Sequence, residues 1–298
     1  MATTDGVANI PLVVIVGPTA SGKSGLAVRL AKQVGGEIIS ADSRSVYRGL
    51  SIGTAKASPE DLRKVPHWGI DLVEPDERFS AADFQKYAFG KIAEIRSRGK
   101  IPILAGGTGL YIDSVIYNFS FSGKDVDFET REFLTNQSID WLHTYCYKHH
   151  IKLPENHLNK RYVVNNIIHA NSSNSIRESK PDNTIVVGII TENSNLEYKI
   201  NTRIDQMFAN GVVEEAEMMA KAYGWGCEAM TGNVYRIIRR YLADELDLDE
   251  AKRLCVVKDK QLAKRQMTWF KRNRDIKWFD LEGAYTFLVH ELGVTPKK

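Results

Sequence analysis

The sequence predicts an α/β fold in which helices cover both faces of a parallel sheet and a small, mostly helical insertion interrupts the core. Three observations carry this. Short apolar, β-branched runs recur between stretches with helical spacing, the pattern of buried parallel strands and their crossovers. One such run, "IPLVVIV", passes straight into the glycine-rich "GPTASGKS" and then into a helical pattern. Residues 120–182 break the alternation with a polar segment rich in Asn, His, Lys and Ser.

Taken in order, residues 10–16 read as a buried strand ended by Gly-Pro, and residues 24–34 as a helix. "GEIIS" (36–40) is a second strand and "KIPILAGG" (100–107) a third. Between them, residues 80–99 read as a helix with Ser80 as N-cap and Gly99 past its end. "NTIVVGII" (183–190) is another buried strand; beyond residue 195 the chain turns mostly helical, with "IKWFDL" (276–281) as a last strand. Within the insertion, "HANSSNSIRESKPDN" reads as a loop. The expected domains are therefore a core of residues 8–119 plus 183–298 and an insertion of residues 120–182.

Composition allows a globular core, with 43% hydrophobic residues in 298. A net charge of +3 is too small to argue for nucleic acid by itself. The three cysteines, Cys146, Cys227 and Cys255, are odd in number and widely spaced, which fits a reducing compartment. No stretch reads as a signal peptide or a membrane span, so a soluble cytoplasmic enzyme is expected.

Gly17, Gly22, Lys23 and Ser24 complete the phosphate-loop pattern G-x-x-x-x-G-K-[ST]. Glycines let successive N–H groups of Gly17, Pro18, Thr19, Ala20, Ser21 and Gly22 turn toward one anion, save at proline, and the following helix adds its partial positive end. Lys23 supplies a mobile charge, and the Ser24 hydroxyl can ligate Mg²⁺. Strand before and helix after give the expected core: P-loop NTPase-like. The loop specifies a di- or triphosphate without naming it, so ATP remains open here.

Two further segments face the same edge. Asp42, in "SADSRSVYRGLSIGTAK", ends the second strand, where ligands of open α/β sheets bind. It reads as a general base, a helix N-cap or an outer partner of Mg²⁺. In "AGGTGLYIDSVIY" the glycines allow close approach of a ligand, and Thr108 offers a hydroxyl; an ordinary strand-to-helix turn has the same composition.

Toward the C-terminus, "KDKQLAKRQMTWFKRNRDIKW" (258–278) interleaves cations with Trp269, Phe270 and Trp278, as a phosphate-tracking surface does. Here Trp269 and Phe270 are expected inside, with Lys264, Arg265, Lys271 and Arg272 facing RNA; Arg236, Arg239 and Arg240 add charge in "YRIIRRYL". "HTYCYKHH" brings His143, Cys146, His149 and His150 close in sequence, but lacks a second ligand pair at zinc spacing.

Together, "GPTASGKS", "ISADSRSVYRGLSIGTAKAS", "VPHWGIDLVEPDERFSAADF", "AGGTGLYI", "KINTRIDQMFANGVVEEAEMM" and "QLAKRQMTWFKR" resemble the tRNA dimethylallyltransferases, in order over most of residues 10–280. The resemblance implies transfer of a dimethylallyl group from dimethylallyl diphosphate to N6 of adenosine 37 beside the anticodon, with loss of diphosphate and with Mg²⁺ as cofactor. It implies Asp42 as base, Thr108 and Arg203 as catalytic partners, and residues 17–24 as the diphosphate cradle. It places Asp42, Ser43, Arg44, Ser45, Thr108, Arg131, Arg161, Lys264, Arg265, Gln266, Lys271 and Arg272 along a tRNA anticodon stem-loop. A monomer, with no membrane partner, is expected.

The sequence departs from the family in three ways. "KRYVVNNII" (160–168) has Tyr162 and Asn165 where arginines are expected, Val234 replaces a glycine in "NVYR", and the insertion is short. Three other readings share the loop: an adenylate isopentenyltransferase acting on a free nucleotide, a small-molecule kinase, and an RNA-binding protein with a relict loop. The basic aromatic stretch argues against the first, and intact Lys23, Ser24 and Asp42 against the last.

Overall fold

The structure is a computed structural model that describes residues 10–121, 128–154, 157–170, 180–181 and 183–294; the side chains of Phe128, Glu129, Arg161 and His169 also lie outside the description. Most of the loop expected at 169–183 falls outside it too.

Six strands form one wholly parallel sheet: β1 (Leu12–Val16), β2 (Glu37–Ser40), β3 (His67–Trp68), β4 (Pro102–Gly106), β5 (Thr184–Ile189) and β6 (Lys277–Phe279). Their order is β3-β2-β4-β1-β5-β6, with Val14 opposite both Leu104 and Val186. β1 is thus central, and all five of its residues are buried, which is why its sequence is continuously apolar instead of alternating. All strands run the same way, so their carboxyl ends, and the loops after them, gather on one edge.

Helices α1 (Lys23–Val34), α2 (Pro59–Lys64), α3 (Ala81–Ser97) and α4 (Gly109–Ile116) follow in chain order. On one face of the sheet, Val13, Ile15 and Val187 pack under Leu26 and Leu30 of α1 and under Leu288 of a C-terminal helix. On α3, Ser80 caps as expected: Asp83 N–H donates to Ser80 Oγ at 3.2 Å, and Ser80 N–H to Asp83 Oδ2 at 2.8 Å. This reciprocal pair satisfies two otherwise orphaned donors.

The expected strands are all present, each trimmed by one to three residues. β3 and α2 lie in the stretch between residues 41 and 79, where no element was expected. A two-residue strand pairing only with β2 carries no periodicity of its own. For α2 a local signal did exist: Ser58 caps Asp61 N–H and Pro59 opens the helix.

By contact density the chain divides into residues 1–116 with 180–298, and residues 117–179. The second unit holds α5 (Phe128–Asn136), α6 (Ile139–Lys148) and α7 (Lys160–Ala170). It has its own small core of Leu134, Leu142, Cys146, Val163, Val164, Ile167 and Ile168. Cys146 is therefore a packing residue, and no metal-holding group of three or more His, Cys, Asp or Glu exists among the described residues.

The first unit continues with α8 (Asn193–Ala209), α9 (Val212–Tyr223), a 3₁₀ turn (Ala229–Thr231), α10 (Asn233–Leu242), α11 (Leu248–Phe270) and α12 (Leu281–Glu291). No described helix is long and apolar enough to cross a membrane.

Candidate active site

The loops after β1, β2 and β4 meet α8, α10 and α11 around a crevice of about 740 Å³ at the carboxyl edge of the sheet. Thr19, Lys23, Ser24, Asp42, Arg44, Thr108, Arg203 and Gln266 all line it. Residues separated by up to 247 positions in sequence are thereby brought into one volume.

The phosphate loop owes its path to positive φ at Ala20 (60°) and Gly22 (90°). Gly22 also has no room for a side chain, since a Cβ would lie 2.8 Å from Leu281 Cδ1. Lys23 Nζ donates to the loop's own Pro18 carbonyl at 3.1 Å. Burial of the ammonium pulls its pKa down to about 8; Asp42 opposes this and Arg203 adds to it. The side chain is consequently a cation at neutral pH that gains from an incoming anion. The Ser24 hydroxyl is exposed to the crevice and makes no hydrogen bond within the described residues.

Arg203 reaches the loop from α8, its NH1 donating a short hydrogen bond to Thr19 Oγ1. Lys199, one turn earlier, and Gln206 line the same crevice. Gln266 reaches it from α11: its Oε1 accepts from Thr19 N–H at 2.8 Å, and its Nε2 donates to the Gly107 carbonyl at 3.1 Å. A Cβ on Gly107 would sit 2.3 Å from that Nε2, so glycine is what admits the amide. Gln266 thus ties the loop after β1 to the loop after β4.

Asp42 Oδ1 accepts from Arg44 N–H at 2.8 Å, which fixes the carboxylate's direction and leaves Oδ2 without a bond in the described residues. Thr108 Oγ1 accepts from Ser43 N–H at 3.0 Å, joining the loops after β2 and β4. Ser45 is buried in the same wall. The Arg44 guanidinium turns away to the Glu228 carbonyl (3.1 Å) and Thr231 Oγ1 (2.9 Å), so it holds the 3₁₀ turn in place.

Glu215 of α9 carried no sequence signal, yet it organises a wall of the crevice. Its carboxylate, 6% exposed, accepts N–H from Ser51 (2.7 Å), Ile52 (2.8 Å) and Gly53 (2.9 Å) and the Tyr235 hydroxyl (2.8 Å). Burial and the Glu215 charge raise the Tyr235 pKa far above neutrality, so the phenol stays a donor.

The remaining sequence candidates divide. Arg265 lines the crevice, while Lys264, Lys271 and Arg272 are exposed along or just past α11. Phe270 is fully buried as expected, but Trp269 is 37% exposed and donates its indole N–H to Asp113 Oδ2 at 2.9 Å. In the helical unit Arg131 NH1 donates to Asn165 Oδ1 at 3.0 Å, and the Arg161 side chain lies outside the described residues. Of the missed residues, Lys199 and Gln206 repeat Arg203 at helical spacing, a signal that was available.

A parallel sheet, a phosphate loop on its central strand and a crevice that joins cations to a carboxylate define a P-loop fold equipped for group transfer from a phosphorylated donor. A family model described as IPP transferase matches residues 45–273. A tRNA dimethylallyltransferase of Staphylococcus carnosus is 38% identical across 98% of both chains, and one of Acetivibrio thermocellus 39% identical across 90% of this chain and 91% of its own. Among solved structures, the tRNA isopentenylpyrophosphate transferase of Bacillus halodurans superposes with a TM-score of 0.73 at 34% identity, covering 95% of this chain and 97% of that one. A eukaryotic dimethylallyltransferase acting on tRNA shares the fold at TM-score 0.76 and 20% identity, over 96% of this chain and 81% of its own. The chain belongs to the IPP transferase family.

Proposed function

We propose that this enzyme transfers the dimethylallyl group of dimethylallyl diphosphate to N6 of adenosine 37 in the anticodon loop of tRNA. One observation carries the reading: the anion cradle of Thr19, Lys23 and Arg203 and the Asp42–Thr108 wall line one crevice. A donor diphosphate and an acceptor amine can therefore meet in it. The cradle binds the diphosphate and receives the electron pair of the breaking C1–O bond, where negative charge grows. The N6 lone pair forms the new bond to C1. The N6 proton passes to Asp42, whose Oδ1 is oriented by Arg44 N–H and whose Oδ2 is open to an acceptor. Thr108, fixed by Ser43, lines the acceptor's path.

The donor set fits Mg²⁺: the Ser24 hydroxyl is exposed to the crevice and unbonded, and no cluster of three or more His, Cys, Asp or Glu exists among the described residues, so most ligands would come from diphosphate and water. When bound, the ion neutralises charge on the leaving group. Adenosine 37 must unstack to enter, which costs less in a loop than in a duplex. The exposed Lys264, Lys271 and Arg272 suit the flanking phosphates, as do Arg131 and Arg161 on the helical unit. The three cysteines are free and buried, which suits the cytoplasm, and a monomer suffices for this chemistry.

The test is transfer from labelled dimethylallyl diphosphate with Mg²⁺ to an anticodon stem-loop bearing adenosine 37, beside a guanosine 37 loop and beside AMP. Label in the adenosine loop alone supports the proposal; label in AMP, or phosphate transfer from ATP, overturns it. Asp42→Ala is expected to lower transfer by about 10²–10⁴-fold while donor binding persists.

A further inference from the structure

The crevice is built to attract negative charge, yet one wall carries a carboxyl group. Asp259 on α11 is 4% exposed and lines the crevice, and its Oδ2 has no hydrogen-bond partner. Arg203 lines the same volume; its Nε is also buried and unpartnered, while its NH1 is committed to Thr19. An unpaired buried carboxylate is costly. Burial accordingly pushes the Asp259 pKa up, and the Arg203 guanidinium is the charge that pulls it back. An anion entering beside them changes both terms: it engages the guanidinium, and it repels a neighbouring carboxylate. Both changes favour the neutral acid.

We propose that Asp259 is a positioning residue acting through Arg203: as a carboxylate it steadies the guanidinium beside the phosphate loop, and it takes up a proton from solvent when a diphosphate enters, leaving Arg203 to the anion. When the diphosphate departs, the proton returns to solvent and the carboxylate competes for Arg203 again, which favours release. No covalent bond changes in this cycle.

Other titratable groups share the space. Lys199 and Arg203 come from α8, Lys23, Asp42, Arg44 and Lys56 from the core loops, His67 from β3, Tyr235 from α10 and Arg265 from α11 itself; all are common to the wild type and Asp259→Asn. Cys255 sits one turn away on α11, with its thiol pushed up to about 12 by burial and by Asp259. Tyr235 and Cys255 stay neutral at ordinary pH. Lys23 changes charge near its pKa of about 8, above the window in which a carboxyl titrates.

The proposal rests on the crevice taking a diphosphate, so binding and proton uptake are read separately. Inorganic pyrophosphate is titrated into the full chain by calorimetry, in buffers of matched pH but different ionisation enthalpy, between about pH 5 and 7. The wild type is expected to take up more protons than Asp259→Asn, with a difference approaching about one proton per site. Its log Kd should rise correspondingly more steeply with pH. The ligand's own protonation is common to both and cancels. Arg203→Gln is the second variant: it removes the charge that draws Asp259 toward the carboxylate, so the excess uptake should fall there too, although the carboxyl remains. Pyrophosphate binding with equal uptake in the wild type and either variant overturns the proposal and spares the diphosphate reading. Failure of pyrophosphate to bind the wild type overturns both.

Discussion

Glu215→Gln exchanges one oxygen of a buried four-bond carboxylate for an amide, almost without change of shape. The two oxygens divide the work: Oε2 accepts from Ser51 and Ile52 N–H, and Oε1 from Gly53 N–H and the Tyr235 hydroxyl. The best orientation of glutamine keeps its oxygen on the Ser51–Ile52 pair. Its NH₂ then donates to a rotated Tyr235 hydroxyl but faces the Gly53 N–H, donor against donor. One buried N–H is orphaned, at about 1–3 kcal/mol, and two bonds lose their charge assistance. A total of about 3 kcal/mol lowers the melting temperature by roughly 6–12 °C, at about 2–4 °C per kcal/mol for a chain of this size. Because the loop from Gly53 to Ala57 lines the crevice, transfer should fall as well. The assay is thermal unfolding followed by circular dichroism, with hydrogen exchange at the amides of Ser51, Ile52 and Gly53. Faster exchange confined to those amides and their neighbours is the expected signature. A wild-type melting temperature with undiminished protection at these three positions would refute the clamp.

Two other outcomes follow from the cradle. Lys23 has a lowered pKa of about 8 in the free protein, and a bound diphosphate raises it; binding therefore takes up a proton above that value, so the Lys23 contribution to pyrophosphate affinity is full below about pH 8 and falls as pH rises through it. Binding titrations show this directly, and a flat profile from neutrality to about pH 10 would contradict the assignment of Lys23. Gln266→Leu strands Thr19 N–H and the Gly107 carbonyl, at about 1–3 kcal/mol; donor KM should rise more than tRNA affinity falls. The reverse pattern in filter-binding and turnover assays would return Gln266 to the RNA surface.

Much of this protein was legible before any fold. The β1 run, the glycine loop and the positions of Lys23, Ser24, Asp42 and Thr108 are local statements. A buried parallel strand must be continuously apolar, and a phosphate loop must place its glycines within a few residues. Strand ends therefore reported which residues would gather on one edge. The short β3 was not legible, since its only pairing is with a neighbour 29 residues away, Ile38 with His67.

The walls of the crevice were decided by tertiary structure. Glu215 meets Ser51, Ile52 and Gly53 across 162 to 164 residues, Arg203 meets Thr19 across 184, and Gln266 meets Thr19 across 247. Gln266 and Arg44 read as RNA-facing in sequence, yet their side chains are engaged in holding loops together. Whether Asp259 is a surface acid or a buried group facing Arg203 depends on which side of α11 packs against α8. By itself the sequence determined the chemistry available to the site, because that is set by residue type and local spacing. Only the tertiary structure decided which groups are desolvated, bonded or left open, because burial and hydrogen bonding depend on neighbours that are remote along the chain.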